Sequence, residues 1–337
     1  MQSLRFTRCG LWRLDAHKQA LKRVALQQKQ QQRYFSLSSM CRSTENNTTT
    51  PSRIDPLQFP WLLSTSPRRI KDYPYIKAPS DWAFLNMLPV RFQHALCQWL
   101  GHRMLQLNTG DTYFPDQFLV GASLGTRKAL EAISEFLTHP STEAMTKVDQ
   151  LIAPRLRDAL LGQAQGCFGA EDTVNVSIPQ IYDATVGDIW VTLGNVDALE
   201  SPRQYEQLRW MTLMVSMKRA TVDELDEPFA DYRKRVGQGL MEGAHVAVDV
   251  EIDADVQYQV LRPGVDKDEV VVFDQGRRSM LVRFETPYFT PASAMVSGRD
   301  EHTGEPLNDW RWRICDIDQL VEKQTLDTEH ADDDVDE

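Results

Sequence analysis

The chain has 337 residues, 42% of them hydrophobic, enough for one substantial core with extensions, and a formal net charge of −11. That charge is uneven: residues 1–44 hold nine Lys/Arg against the single acid Asp15, and the remainder carries 28 basic and 47 acidic residues. A remainder so acidic argues against a domain that grips nucleic acid through its phosphates.

Residues 1–44 have the composition of a mitochondrial presequence, with Arg5, Arg8, Arg13, Lys18, Lys22 and Arg23 interleaved with Leu4, Leu11, Leu14, Leu21 and Val24. A helix built from them is basic on one side and apolar on the other. Arg33-Tyr34-Phe35-Ser36 resembles a matrix-processing site, with cleavage expected between Phe35 and Ser36. A disordered basic arm is the plainer alternative. Five cysteines without a CxxC pair suggest neither a disulfide framework nor a zinc site, and no cofactor is expected.

Residues 45–109 read as a linker followed by an amphipathic helix. Residues 42–60 are polar and punctuated by proline. Beyond them Trp82, Leu85, Leu88, Phe92, Trp99 and Leu100 form a stripe whose apolar runs are far shorter than the ~20 residues that span a bilayer. Two tryptophans on such a stripe suit a helix lying in a membrane interface or against a partner; an ordinary core helix is the alternative.

Asp116–Leu137 is the strongest helical pattern, with Phe118, Ala122, Thr126, Ala129, Ile133 and Phe136 on one face. Gly121 and Gly125, one turn apart, are expected to admit a close neighbour. A second helix spans Thr142–Leu161, with Pro154 either kinking it or opening a new one, and residues 162–173 read as a loop.

From there the period changes from 3.6 to 2. Val186–Leu193 reads as a strand, and Leu208–Lys218, apolar on both faces, as a central one. Residues 222–239 look like a charged helical insertion. Ala244–Val260 alternates over seventeen residues, about 55 Å at ~3.3 Å each, and so must bend. Asp274-Gln275-Gly276 is a hairpin signal between Val270–Phe273 and Arg278–Phe289. Trp310, Trp312 and Ile314 alternate in a last strand, and residues 321–337 form an acidic tail. Helices followed by a curved antiparallel sheet give an α+β plan with the helices packed on the sheet.

The combination of DQFLVGASLGTRKALEAISEFL, LIAPRLRDALL, IYDATVGDIWVTLG, LRWMTLMVSMK and NDWRWRICDIDQLV resembles the group sharing the C-terminal domain of the mitochondrial import-motor anchor. Within it the chain is most similar to the matrix AAA protease-interacting family. The resemblance covers residues 110–320. It implies the cone fold of the nuclear-transport-factor-two type and a non-enzymatic adaptor at the matrix face of the inner membrane. The implied partners are the matrix AAA protease and newly imported inner-membrane proteins, whose sorting, maturation and assembly it aids. Relatives in the group include a mitochondrial ribosome receptor and a large-subunit mitoribosomal protein, so a ribosomal component or tether is an alternative. The acidic stretch 222–239 and the acidic tail depart from the family pattern.

Catalytic motifs give little. GASLGTRK at 121–128 lacks the phosphate-loop spacing and sits within a helical period. The cone fold also hosts isomerases and dehydratases with an Asp or His in the cavity. Asp183, Asp188 and His245 are the residues to consider for that alternative, with His245 expected on the solvated face of its strand. Trp310 and Trp312 are expected either to pack in the core or to line a face for a partner peptide.

Overall fold

The computed structural model describes residues 87–325, apart from 170, 199, 200, 202, 221–227, 265–267 and 324. The chain divides into units Met1–Ser52 and Arg53–Glu337, and the described residues belong to the second. The cleavage position at Phe35 and Ser36, the stripe residues Trp82 and Leu85, and all but the first residues of the acidic tail lie outside them.

Four helices precede the sheet. Helix α1 (Val90–Thr109) starts behind Pro89 and stops at Gly110, whose φ of 98° favours glycine. A π-helical turn at Tyr113–Gln117 leads into α2 (Phe118–Thr138), which buries Phe118, Ala122, Thr126, Ala129 and Ile133 as its period requires. Ser141 caps α3 (Thr142–Leu151), its Oγ accepting the Ala144 N–H at 3.1 Å. Pro154 starts a new helix, α4 (Pro154–Cys167), at a position where its missing N–H costs nothing. The two extended residues before it meet the sheet: Ala153 N–H donates to the Ile314 carbonyl at 2.8 Å. Residues 162–167, read as loop, are therefore the end of α4; buried Ala164 and Cys167 hold them there.

The sheet has six strands in the order β2-β3-β1-β4-β5-β8, formed by β1 (Thr173–Leu193), β2 (Tyr205–Trp210), β3 (Leu213–Lys218), β4 (Ala244–Arg262), β5 (Glu269–Glu285) and β8 (Arg313–Ile317). Helix α5 (Phe229–Glu242) lies between β3 and β4, and β6 (Gly298–Arg299) and β7 (Pro306–Leu307) form a small separate pair. The fold is α+β, with a strongly curled mixed sheet rather than an antiparallel one, because β1 pairs with β3 in parallel. The helices lie only partly ahead of the sheet, since α5 interrupts it.

Curling follows from strand length. Strands β1, β4 and β5 run 21, 19 and 17 residues, and β1 shifts register against β4 at Ser177/Gln180, Ile181/Asp183 and Val186/Ile189. Each irregularity bends and twists the ribbon. Val246, Val248, Val250, Ile252 and Ala254 of β4 are fully buried in the same core as Phe118, Ala129 and Ile133 of α2. The outer edge of β1 is met by α2: Ser134 Oγ accepts the Val176 N–H at 2.8 Å, and Arg127 donates to the carbonyls of Ile178 and Pro179.

Two strand expectations fail for one reason: pairing overrides a local reading. LRWMTLMVSMK is a tight hairpin, with Met211 at φ 52° between β2 and β3, and its apolar residues serve different neighbours. Conversely, Asp274-Gln275-Gly276 does not turn. These residues pair with Tyr258, Gln257 and Val256, because β4 is long enough to keep β5 extended throughout.

Candidate functional site

Helix α1 is mounted with its polar side inward. Gln93, Cys97, Gly101, Leu105 and Thr109, each four residues apart, are its buried positions. Gln93 Oε1 accepts the Trp210 indole N–H at 3.2 Å, while its Nε2 donates to the Leu88 carbonyl at 2.8 Å. Gln98 ties β1 to the turn between β2 and β3, donating to Thr212 Oγ1 at 3.1 Å and accepting the Ile189 N–H at 2.7 Å. Burial pushes the Cys97 thiol up to about 11, and its Sγ lies 3.3 Å from the Trp210 carbonyl. A Cβ on Gly101 would stand 2.7 Å from Ile189 Cγ2. The close approach expected at Gly121 and Gly125 is thus found at Gly101 instead. Gly121 has open space around it, and Gly125 meets only a Phe284 ring carbon at 3.8 Å.

What α1 leaves outside is a largely apolar ridge flanked by exposed Arg91 and Arg103. Phe92 and Trp99 are 55% and 60% exposed, and Val90, Leu100 and Leu107 are exposed with them; Leu88 is half-buried beside Cys97, Trp210 and Met211. Of the stripe, Phe92, Trp99 and Leu100 are not core residues, although the helix as a whole docks on the sheet. Sequence patterning could not show this, because the contacts that orient α1 are hydrogen bonds to residues about a hundred positions away. Among the described residues, no helix is long and apolar enough to cross a membrane.

The second feature is a half-open cleft of about 790 Å³ on the sheet face opposite the helix-covered core. Alternate residues of β1, β4 and β5 point into it: Trp190 and Thr192, His245 and Ala247, Arg283 and Glu285. Met211, Leu213 and Met214 stand at one side, and Cys315, Asp316 and Val321 at the other. Arg283 organises its floor. Its Nε and Nη2 bond the Asp249 carboxylate at 2.6 and 3.1 Å, Nη1 reaches Glu322 at 2.8 Å, and the guanidinium lies 5.0 Å from the Trp190 ring centre. The Trp190 N–H also donates to Asp249, at 2.9 Å.

Asp316, pushed up to about 6 by burial, accepts the backbone N–H groups of Val321 and Glu322 at 3.0 and 3.1 Å. It therefore anchors the last helical turn, residues 320–323, against the cleft. Burial also raises the Cys315 thiol well above its ordinary range.

The three residues considered for acid–base chemistry are not brought together. Asp183 is exposed and accepts the Ala184 N–H. Asp188 meets His94 of α1 at 2.9 Å, and desolvation, opposed by His94, raises its pKa. The sequence offered no partner for Asp188; the helix docking supplies one. His245 does lie on the face away from the core, lining the cleft, stacked on Tyr288 and 3.4 Å from Glu285.

Trp310 and Trp312 precede β8 instead of belonging to it, which starts at Arg313. Both are half-buried against the main core: their rings meet each other at 5.2 Å, Trp312 meets Phe118 at 4.8 Å, and Trp310 meets Phe289 at 5.5 Å. Trp310 donates to the Met295 carbonyl at 2.8 Å. Core packing describes them, and neither lines the cleft. Neither a protein-family model nor a curated protein matches the chain.

Proposed function

We propose that this chain is a non-enzymatic adaptor at the matrix face of the mitochondrial inner membrane, built on a cone fold of the nuclear-transport-factor-two type. It binds the matrix AAA protease and newly imported membrane proteins during their sorting, maturation and assembly. The observation that carries the reading is α1. A helix held by hydrogen bonds on its inner side presents Phe92, Trp99, Leu100 and Leu107 outward, which suits a membrane interface or an apolar partner. The basic, acid-poor stretch 1–44 supplies the address, and the curled sheet packed by α2 is compatible with the cone type. The carboxylate with the raised pKa in the cleft, Asp316, is engaged by two backbone amides, a structural task rather than an acid–base one.

Sedimentation of gently solubilised mitochondria through a density gradient tests the adaptor role. Co-migration with the AAA protease and away from ribosomes supports it. Stoichiometric migration with the large ribosomal subunit overturns it in favour of a ribosomal component or tether.

A further inference from the structure

One side of β5 pairs with β4 along its length, but the other is met by β8 only from Val282 to Glu285. At Leu281 the carbonyl accepts the Asp318 N–H at 2.7 Å, and the N–H donates to the Asp318 carboxylate at 2.9 Å. Both backbone groups of Leu281 therefore point away from β4, and alternation points those of Arg277, Gln275 and Phe273 the same way. The β4–β5 register is unbroken from Phe273 to Glu285, so that alternation holds. Among the described residues, no hydrogen bond reaches the outward N–H and C=O groups of these three. Phe273 is 56% exposed, and Gln275, Gly276 and Arg277 are exposed with it. An edge of this kind is a template for another strand.

The side chains of the run say which strand. Turned about a two-fold axis at Gln275, the run is complementary to itself. Gln275 stands opposite Gln275, Phe273 opposite Arg277, and Asp274 opposite Gly276, so no charge faces a like charge. Arg277 is held over the outer face of the sheet, bonding Asp253 at 2.9 and 2.6 Å and lying 4.0 Å from the Tyr182 ring centre. A phenylalanine opposite offers that guanidinium a second ring. Nothing lies within 4 Å of the place a Cβ on Gly276 would take, which leaves room for an aspartate across from it. Neighbouring registers are worse. One centred on Arg277 sets arginine against arginine, and one centred on Phe273 runs into the shift of the β4 pairing between Val260 and Leu261.

We propose that the open run Phe273–Arg277 pairs antiparallel with the same run of a second copy of this chain, about a two-fold axis through Gln275. Each of the three outward-facing pairs exchanges two hydrogen bonds, which satisfies every open group of the run. The two sheets then continue into one another. Because each copy uses its run on the other, the pairing closes at two chains. This inference is independent of the membrane role of α1.

Sedimentation velocity of the full chain over a concentration series tests it. The mass rises reversibly toward twice that of the single chain. Gln275→Lys puts two like charges together at the axis and weakens association at least about tenfold, and Gln275→Glu does the same. An equal mixture of the two variants associates again. Thermal melting stays unchanged in both, because the side chain is exposed and the Gln275 N–H takes no part in the β4 ladder. A chain that stays single throughout, association that Gln275→Lys leaves intact, or a mixture no tighter than its components overturns the proposal.

Cysteines read the register directly, even where a charged variant melts early. Residues opposite in a hydrogen-bonded pair have Cα atoms about 5.5 Å apart, within disulfide range. Under mild oxidation Gln275→Cys forms a linked pair joined 275 to 275, identified by mass spectrometry of the linked peptides. Phe273→Cys and Arg277→Cys each place their own two copies about 14 Å apart and do not link alone, whereas their mixture joins 273 to 277. Links at other pairings, or none, likewise overturn it.

Discussion

Asp249 and Arg283 are cross-strand neighbours on β4 and β5, and they meet in a two-pronged ion pair that is almost wholly withdrawn from water on the Asp249 side. The pair lies under Trp190 and also carries Glu322, so one guanidinium ties β1, β4, β5 and the last helical turn together. Replacing Asp249 with Ala leaves that guanidinium short of its main partner in a covered site. The expected loss is about 3–5 kcal/mol in denaturant unfolding. The double variant Asp249→Ala with Arg283→Met loses less than the sum of the single variants, which a double-mutant cycle measures directly.

Asp316 makes stability depend on pH in the less common direction. Its folded pKa of about 6 lies above the ordinary aspartate value of 3.8, so between these pH values the folded state binds more protons than the unfolded one. The contribution of this group to stability is therefore full below about pH 4 and is lost as pH rises through about 6. Relative to Asp316→Asn, the native chain loses stability across that interval. Unfolding titrations of the two proteins between pH 4 and 7 check it; a difference that stays flat contradicts the assignment.

The outward face of α1 and its inward anchor are separable by mutation. Phe92→Ser, Trp99→Ser and Leu107→Ser together lower recovery of the protein with cardiolipin-containing vesicles and leave thermal melting nearly unchanged, because these side chains already face water. Leu105→Ala, at a fully buried position, does the converse. It costs about 2–5 kcal/mol of stability.

Gly101→Ala tests how closely α1 is seated. Alanine favours the helix by up to about 1 kcal/mol. The new methyl group, however, meets Ile189 Cγ2, the rigid branch of a buried strand residue, and overpacking of this kind costs about 1–3 kcal/mol. Net destabilisation is expected, and Ile189→Ala in the same chain relieves part of the clash.

Much of the fold was legible in the sequence where one physical signal dominated. The period of α2 and the alternation of β4 identified both elements, and the length of β4 required a bend that the bulges in β1 accompany. Pro154 marked a helix boundary, with only its kind left open. The hairpin at Met211 and Thr212 was not legible, since no glycine or asparagine announces it and a positive φ at methionine has no sequence signature. The false turn at Asp274-Gln275-Gly276 shows the reverse case: a strong local signal yields when a long neighbour pairs with the strand throughout.

The candidate sites were legible only in halves. The apolar stripe was visible, yet its direction depended on Gln93, Gln98 and His94 finding Trp210, Thr212 and Asp188. The cleft was invisible, because its lining comes from seven separate stretches of chain that only the curl of the sheet assembles.

The inward-facing amides of α1 have a consequence for how the helix can turn about its own axis. Left to the aversion of its aromatic rings for water, this helix would roll until Phe92 and Trp99 met the sheet. To do so it would have to strip Gln93 and Gln98 of their partners, leaving the Trp210 indole and the Ile189 amide without theirs as well. Polar fastening thus works as a ratchet on rotation. It holds an apolar ridge facing outward against the pull of the core.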